Sequence, residues 1–142
     1  MTNLFEISGD DIAQLNDTDL RSLIGSLCES EYRSAGLSTS CITWGGNQDA
    51  SDGGLDIVIR GDDTLPSNGF IQRNNTGFQI KKPKMSKAEI IKEMKPNSVL
   101  RQEIKNLILN NGSYIIVSSG DSTTDTMLKS RKDAMLEAIS QE

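Results

Sequence analysis

At 142 residues, with 35% hydrophobic and 25% charged side chains, the chain is one domain's worth of ordinary globular sequence, and no apolar run approaches the roughly 20 residues of a membrane-spanning helix. The complete lack of histidine excludes Ser-His-Asp and Cys-His catalysis, histidine-ligated zinc and any hydrolase whose base is imidazole, so chemistry here must use carboxylates, amides, lysine or hydroxyls. The net charge of −5 is segregated: residues 1–63 carry twelve acids against three bases and residues 79–105 eight bases against three acids, which sets a basic stretch after an acidic one.

The N-terminal Met-Thr-Asn-Leu-Phe-Glu lacks the basic flank and apolar core of a signal peptide, so a cytoplasmic location is expected. Ser8 and Asp11 have capping-box spacing ahead of Ile12 and Leu15, which predicts a short helix near residues 9–15. Asn16 or Asp17 can cap a second helix. Its apolar stripe runs Leu20, Leu23, Ile24, Leu27 and Ala35 before Gly36 ends it. Glu31 falls on that stripe and Glu29 about 160° away, so Glu31 is expected to face the sheet and Glu29 to face water. An inward carboxylate is costly unless it is paired or holds a cation, which makes Glu31 a candidate ligand; an amphipathic edge position or a pair with Arg33 is the competing explanation. The cysteines, Cys28 and Cys41, lack metal-ligand spacing and are expected to be buried free thiols.

Ser38 to Trp44 predicts a strand ended by Gly45-Gly46, followed by the polar turn Asn47 to Gly54. That turn is not a calcium loop: counting from Asn47, the sixth position is Asp52 rather than glycine and the twelfth is Val58 rather than Glu. In Leu55-Asp56-Ile57-Val58-Ile59-Arg60, period two puts Leu55, Ile57 and Ile59 on one face and Asp56 on the other. A polar connection with a short apolar interruption at Phe70-Ile71 leads to Phe78-Gln79-Ile80-Lys81, where Gln79 and Lys81 share the face opposite Phe78 and Ile80. If the two strands pair, Asp56, Gln79 and Lys81 meet at one end. Ser86 to Met94 and Asn97 to Asn110 have helical patterns, Tyr114-Ile115-Ile116-Val117 reads as a strand covered on both faces, and Asp121 to Glu142 as a final helix. A crossover between the Lys81 and Tyr114 strands makes them parallel, so the expected class is α/β with a mixed central sheet.

Asp52-Gly53-Gly54-Leu55-Asp56 followed by Phe78-Gln79-Ile80-Lys81, with a Glu-bearing helix ahead, resembles the PD-(D/E)XK nuclease superfamily and within it the Mrr-like branch of restriction endonucleases. The segments Leu27-Cys28-Glu29-Ser30-Glu31-Tyr32 and Trp44-Gly45-Gly46 are similar to nuclease domains at the N-termini of bacterial antiphage effectors, and the likeness spans about residues 17–120. It departs from the family at two points: no proline precedes Asp56, and Gln79 is a neutral ligand where the family often has an acid.

The resemblance implies a restriction-endonuclease-like mixed sheet flanked by helices, with residues 1–142 forming a single nuclease domain at the N-terminus of a longer protein. Asp56, Gln79, Lys81 and Glu31 would form the catalytic set. Asp56, Glu31, Gln79 and the Ile80 carbonyl would ligate Mg²⁺ or Mn²⁺, with Glu29 the alternative helix ligand. Lys81 would orient or activate water, and Lys82, Lys84 and Lys87 would contact nucleic acid. The implied partner is double-stranded DNA, with homo-oligomers formed through further domains and no membrane. Two other functions stay open: a module on the same fold that binds nucleic acid or protein without catalysis, and a sugar- or nucleotide-binding domain using the Asn47 to Asp56 loop.

Overall fold

The computed structural model describes residues 6–44, 55–61, 65, 69–71, 73–81, 84–120 and 124–140. The Gly45-Gly46 turn, Asp52, Gly53-Gly54 and Lys82 lie outside the described residues. Helix α1 (Gly9–Ala13) starts on the expected capping box: Asp11 N donates to Ser8 Oγ at 3.2 Å, and Ser8 N donates to Asp11 Oδ2 at 2.8 Å. Helix α2 (Asp17–Ser34) is capped by Asn16, whose Oδ1 accepts from Asp19 N at 2.8 Å. It stops at Gly36, whose φ of +74° is the left-handed conformation that glycine adopts without steric cost.

Strands β1 (Ile42–Thr43), β2 (Ile57–Arg60), β3 (Asn75–Lys81) and β4 (Ser113–Ser118) form one mixed sheet in the order β1-β2-β3-β4. β1 and β2 are antiparallel, β2 and β3 are antiparallel, and β3 and β4 are parallel. The β3–β4 crossover carries helix α3 (Lys87–Met94), a 3₁₀ turn at Pro96–Ser98 and helix α4 (Gln102–Leu109); helix α5 (Asp125–Ser140) follows β4. The class is therefore α/β, a four-stranded mixed sheet with flanking helices. Among the described residues, no helix is long and apolar enough to cross a membrane.

Each sheet face has its own core. Ile57, Ile59, Phe78 and Ile80 pack with Leu20, Cys28 and Tyr32 of α2, and Ile115 and Val117 join them. Tyr114 and Ile116 pack on the other side with Ile90, Met94, Ile104, Ala134 and Ala138. β4 thus touches apolar groups on both faces, as its sequence implies, although as an edge strand it is only half-buried.

The helix expected over Asn97 to Asn110 begins only at Gln102, because Asn97 and Ser98 take left-handed backbone after Pro96. Three other local expectations are corrected. β1 is two residues long, because Ser38–Cys41 form a turn in which Ile42 N donates to Thr39 O at 3.0 Å. The inward face of α2 carries Leu20, Gly25, Cys28 and Tyr32, while Leu27 is exposed. The helix is rolled by about one residue from its leucine stripe, because the Trp44 indole rests on Gly25, a position with no side chain to obstruct it. Leu55 does not share a face with Ile57 and Ile59 but packs with Val58 and Leu107.

Candidate functional site

The displacement of Leu55 follows from a step in the β2–β3 ladder. Ile57 lies opposite Phe78, yet Asp56 N also donates to Phe78 O, at 2.8 Å. Two residues of one strand answering to one of the other is what a β-bulge does, and bulges re-aim the adjoining side chains. The Asp56 carboxylate turns into the ladder, where Oδ2 accepts from Ile80 N at 2.8 Å. Its other oxygen lies 3.7 Å from Arg21 Nη1, which the second turn of α2 delivers to the same point. Asp56 keeps about a third of its side-chain surface in solvent. It is held in place but accessible.

Gln79 and Lys81 leave β3 on the side away from α2, because Phe78 and Ile80 occupy the α2 face. Both meet one carboxylate that the sequence reading did not select, Glu93 of α3. Gln79 Nε2 donates to Glu93 Oε1, the Tyr114 hydroxyl donates to Gln79 Oε1, and Lys81 Nζ lies 3.4 Å from Glu93 Oε2. Arg101 completes the group with Nη2 3.2 Å from Glu93 Oε1 and Nε donating to the Glu93 carbonyl at 2.6 Å. Gln79 is buried, 3% exposed, and both ends of its amide are engaged. Burial alone would raise the Glu93 carboxyl; the Gln79 hydrogen bond, followed by the Lys81 and Arg101 charges, outweighs it and holds the group below its ordinary value. Tyr114 shifts upward, through burial first and then the charge of Glu93, so its hydroxyl stays a donor at every working pH.

The structure thus brings Asp56, Ile80, Gln79 and Lys81 to the end of the β2–β3 pair, beyond which β3 and β4 continue side by side. Open α/β sheets place ligands outside the carboxyl ends of such strands. Glu31 is half-buried with its carboxylate against Gly69, where a Cβ would overlap Oε1 and approach Cδ to 2.9 Å. Glu29 does not face water as expected. Its Oε1 accepts from Trp44 Nε1 at 2.7 Å and its Oε2 from Arg33 Nη2 at 2.9 Å, a consequence of the rolled helix and the indole lying on it. Among the basic residues, Lys84 is exposed at the rim of a cavity beside Lys81, whereas Lys87 is paired with Glu137 of α5 at 3.0 Å.

Glu93, Arg101, Tyr114 and Arg21 are the members of the site that the sequence reading missed. Glu93 had a faint signal, since it lies three residues after Ile90 and next to Met94, at the margin of the buried stripe of α3. Among the described residues, no three acid or thiol side chains gather into a ready-made metal cage. Mg²⁺ is commonly held by one or two carboxylates with water and substrate oxygens filling the rest, and Asp56, about a third exposed, is a carboxylate of that kind. Glu93, Gln79 and the Ile80 carbonyl carry further oxygens, those of Glu93 already facing Gln79, Lys81 and Arg101 and that of Gln79 accepting from Tyr114. Searches of protein families, of curated proteins and of solved structures give no match to this chain.

Proposed function

We propose that the chain is a metal-dependent endonuclease of PD-(D/E)XK type that cuts double-stranded DNA, serving as an effector domain in bacterial antiphage defence. The observation that carries this reading is the convergence of Asp56, Gln79 and Lys81 at the end of two paired strands, with the ladder step aiming Asp56 and with Glu93 adding a second carboxylate. The motif resemblance points the same way.

Asp56 and Glu93, with Gln79 and the Ile80 carbonyl as further oxygen donors, would hold Mg²⁺ or Mn²⁺; Glu31, expected to join them, lies about 15 Å further along α2 than Arg21, which meets Asp56, and its carboxylate is against Gly69. When bound, the ion polarises a phosphodiester and makes its bound water a stronger acid. Lys81 would orient attacking water and balance charge at the phosphorus, with Glu93, 3.4 Å away, holding its position. Arg21 holds the Asp56 carboxylate from the α2 side. Lys84, exposed beside Lys81, would contact the DNA backbone; Lys82, expected to do the same, lies outside the described residues. The salt bridge of Lys87 to Glu137 makes it a weaker candidate for that role.

One observation favours a second reading, a module that holds nucleic acid without cutting it: both ends of the Gln79 amide and the Lys81 ammonium already have partners inside the protein. The two readings separate in one experiment. The nuclease nicks supercoiled plasmid in Mg²⁺, and Asp56→Ala and Lys81→Ala abolish nicking while DNA binding persists. The binding module retains DNA in a mobility-shift assay but has no cleavage to lose.

A further inference from the structure

The cavity beside Lys81 has features that the cleavage chemistry leaves unused. It measures about 490 Å³ and lies against α3 and the Pro96–Ser98 turn, within the size range of small-ligand sites. Lys84 and Lys92 stand exposed at its edge. The two acids in its wall are committed elsewhere: Glu89 Oε2 accepts from Ser86 N at 2.9 Å in the cap of α3, and Glu93 is held by Lys81 and Arg101. With Lys81, Lys84, Lys92 and Arg101 against those two acids, the cavity carries a positive surplus in a chain whose net charge is −5. Its apolar lining, Met85 and Pro96, adjoins the amide of Asn97.

One wall is strained. Asn97 (φ 57°) and Ser98 (φ 65°) are successive non-glycine residues in the left-handed region. Arg101 holds the turn closed, its backbone N donating to Met94 O at 3.0 Å and its Nε to Glu93 O at 2.6 Å. Such strain persists only where the surroundings over-determine it, and it collects at ligand clamps. A cationic rim, an apolar floor and an exposed amide together match a phosphate, a base face and a base edge.

We propose that this cavity is a nucleotide subsite. It takes one unstacked nucleotide of the DNA strand, with its phosphate on Lys84 and Lys92, its base on Met85 and Pro96, and the Asn97 amide at the base edge. The placement of this nucleotide next to the cut rests on the nuclease reading; the binding itself does not.

Fluorescence anisotropy of a short labelled single-stranded deoxyoligonucleotide, read in EDTA so that no cleavage intrudes, tests the subsite. The exposed pair Lys84→Ala/Lys92→Ala weakens binding about tenfold at low salt, and the slope of log affinity against log salt shrinks by about 0.7, the value for the one single-stranded phosphate released. Deoxyadenosine monophosphate competes with the labelled strand, and inorganic phosphate at the same concentration does not. Arg33→Ala/Lys129→Ala removes equal charge from exposed positions on α2 and α5 and leaves affinity within twofold. Equal weakening by both double variants, or equal competition by phosphate alone, overturns the subsite. Wild-type binding by Lys84→Ala/Lys92→Ala alongside Mg²⁺-dependent nicking by the wild-type protein sinks the subsite and spares the nuclease. The opposite pattern, lysine-dependent binding with no nicking, spares the subsite and sinks the nuclease.

Discussion

Replacing Glu93 removes more of the site's internal bonding than any other single change. Glu93→Ala strands the Gln79 amide nitrogen in a residue only 3% exposed, and a buried donor left without its acceptor costs ~1–3 kcal/mol. It also breaks two ion pairs, to Arg101 at 3.2 Å and to Lys81 at 3.4 Å. Those cations are 26% and 33% exposed, so solvent screening limits each pair to ~0.2–1 kcal/mol. The total is ~1.5–5 kcal/mol, or roughly 5–20 °C in Tm for a chain of this size. Glu93→Gln keeps an acceptor for Gln79 and loses only the charge, so it should be destabilised by ~0.5–2 kcal/mol. Urea unfolding followed by the fluorescence of Trp44, the only tryptophan, together with far-ultraviolet circular dichroism, measures both variants. The pH dependence has a definite sign. The native carboxyl sits below its ordinary value of 4.5, so the unfolded chain binds more protons on acidification. The advantage of wild type over Glu93→Gln is therefore full at neutral pH, begins to fade near pH 4.5, and is lost as the pH falls through the lower native value. An alanine variant within ~0.5 kcal/mol of wild type, or an advantage over the glutamine variant that grows in acid, would refute the reasoning.

At Gly25, alanine would normally stabilise a helix by about 1 kcal/mol, but its Cβ would come within 2.6 Å of Trp44 Cε2 and 2.8 Å of Cγ. Overpacking costs typically ~1–3 kcal/mol, so Gly25→Ala should be less stable with red-shifted tryptophan emission; higher stability with unshifted emission contradicts this packing. Gly69→Ala drives its Cβ into the Glu31 carboxylate and displaces it. Because Glu31 lies well along α2 from Arg21 and Asp56, the Mg²⁺ concentration for half-maximal nicking should stay unchanged; a severalfold rise would put Glu31 at the metal site. Cys28 is fully buried and burial pushes its thiol up to about 12, so alkylation at pH 8 should spare it until the protein unfolds. Modification of native Cys28 at the rate of a free thiol would contradict that environment.

Elements defined by neighbours along the chain were legible in the sequence. The Ser8 and Asn16 caps, the Gly36 stop and the alternation of Phe78-Gln79-Ile80-Lys81 all have local causes, and each formed as expected. The parallel β3–β4 pairing followed from the helical crossover between them. What escaped depended on contacts between distant residues. The roll of α2 was hidden because Gly25 and Cys28 do not read as an apolar stripe whereas Leu27 does, and only the arrival of Trp44 decides between the two faces. The ladder step at Asp56 has no compositional mark, so Leu55 was assigned to the wrong side. Glu93 and Arg101 read as ordinary charges on two helical segments until folding sets them against Gln79 and Lys81, 14 residues from Gln79 to Glu93 along the chain. The strand half of the candidate site was therefore visible in the sequence, and the helix half was not.

The rate of plasmid nicking in Mg²⁺ by wild-type protein and by Asp56→Ala, compared at equal folded concentration, tests the central claim most directly. A metal-dependent phosphodiester site at Asp56 predicts nicking by the wild-type protein and a loss of at least about a hundredfold in the variant, in line with removing a group that stabilises charge in the transition state. Nicking by Asp56→Ala at the wild-type rate, or no nicking by the wild-type protein in either Mg²⁺ or Mn²⁺, would contradict it.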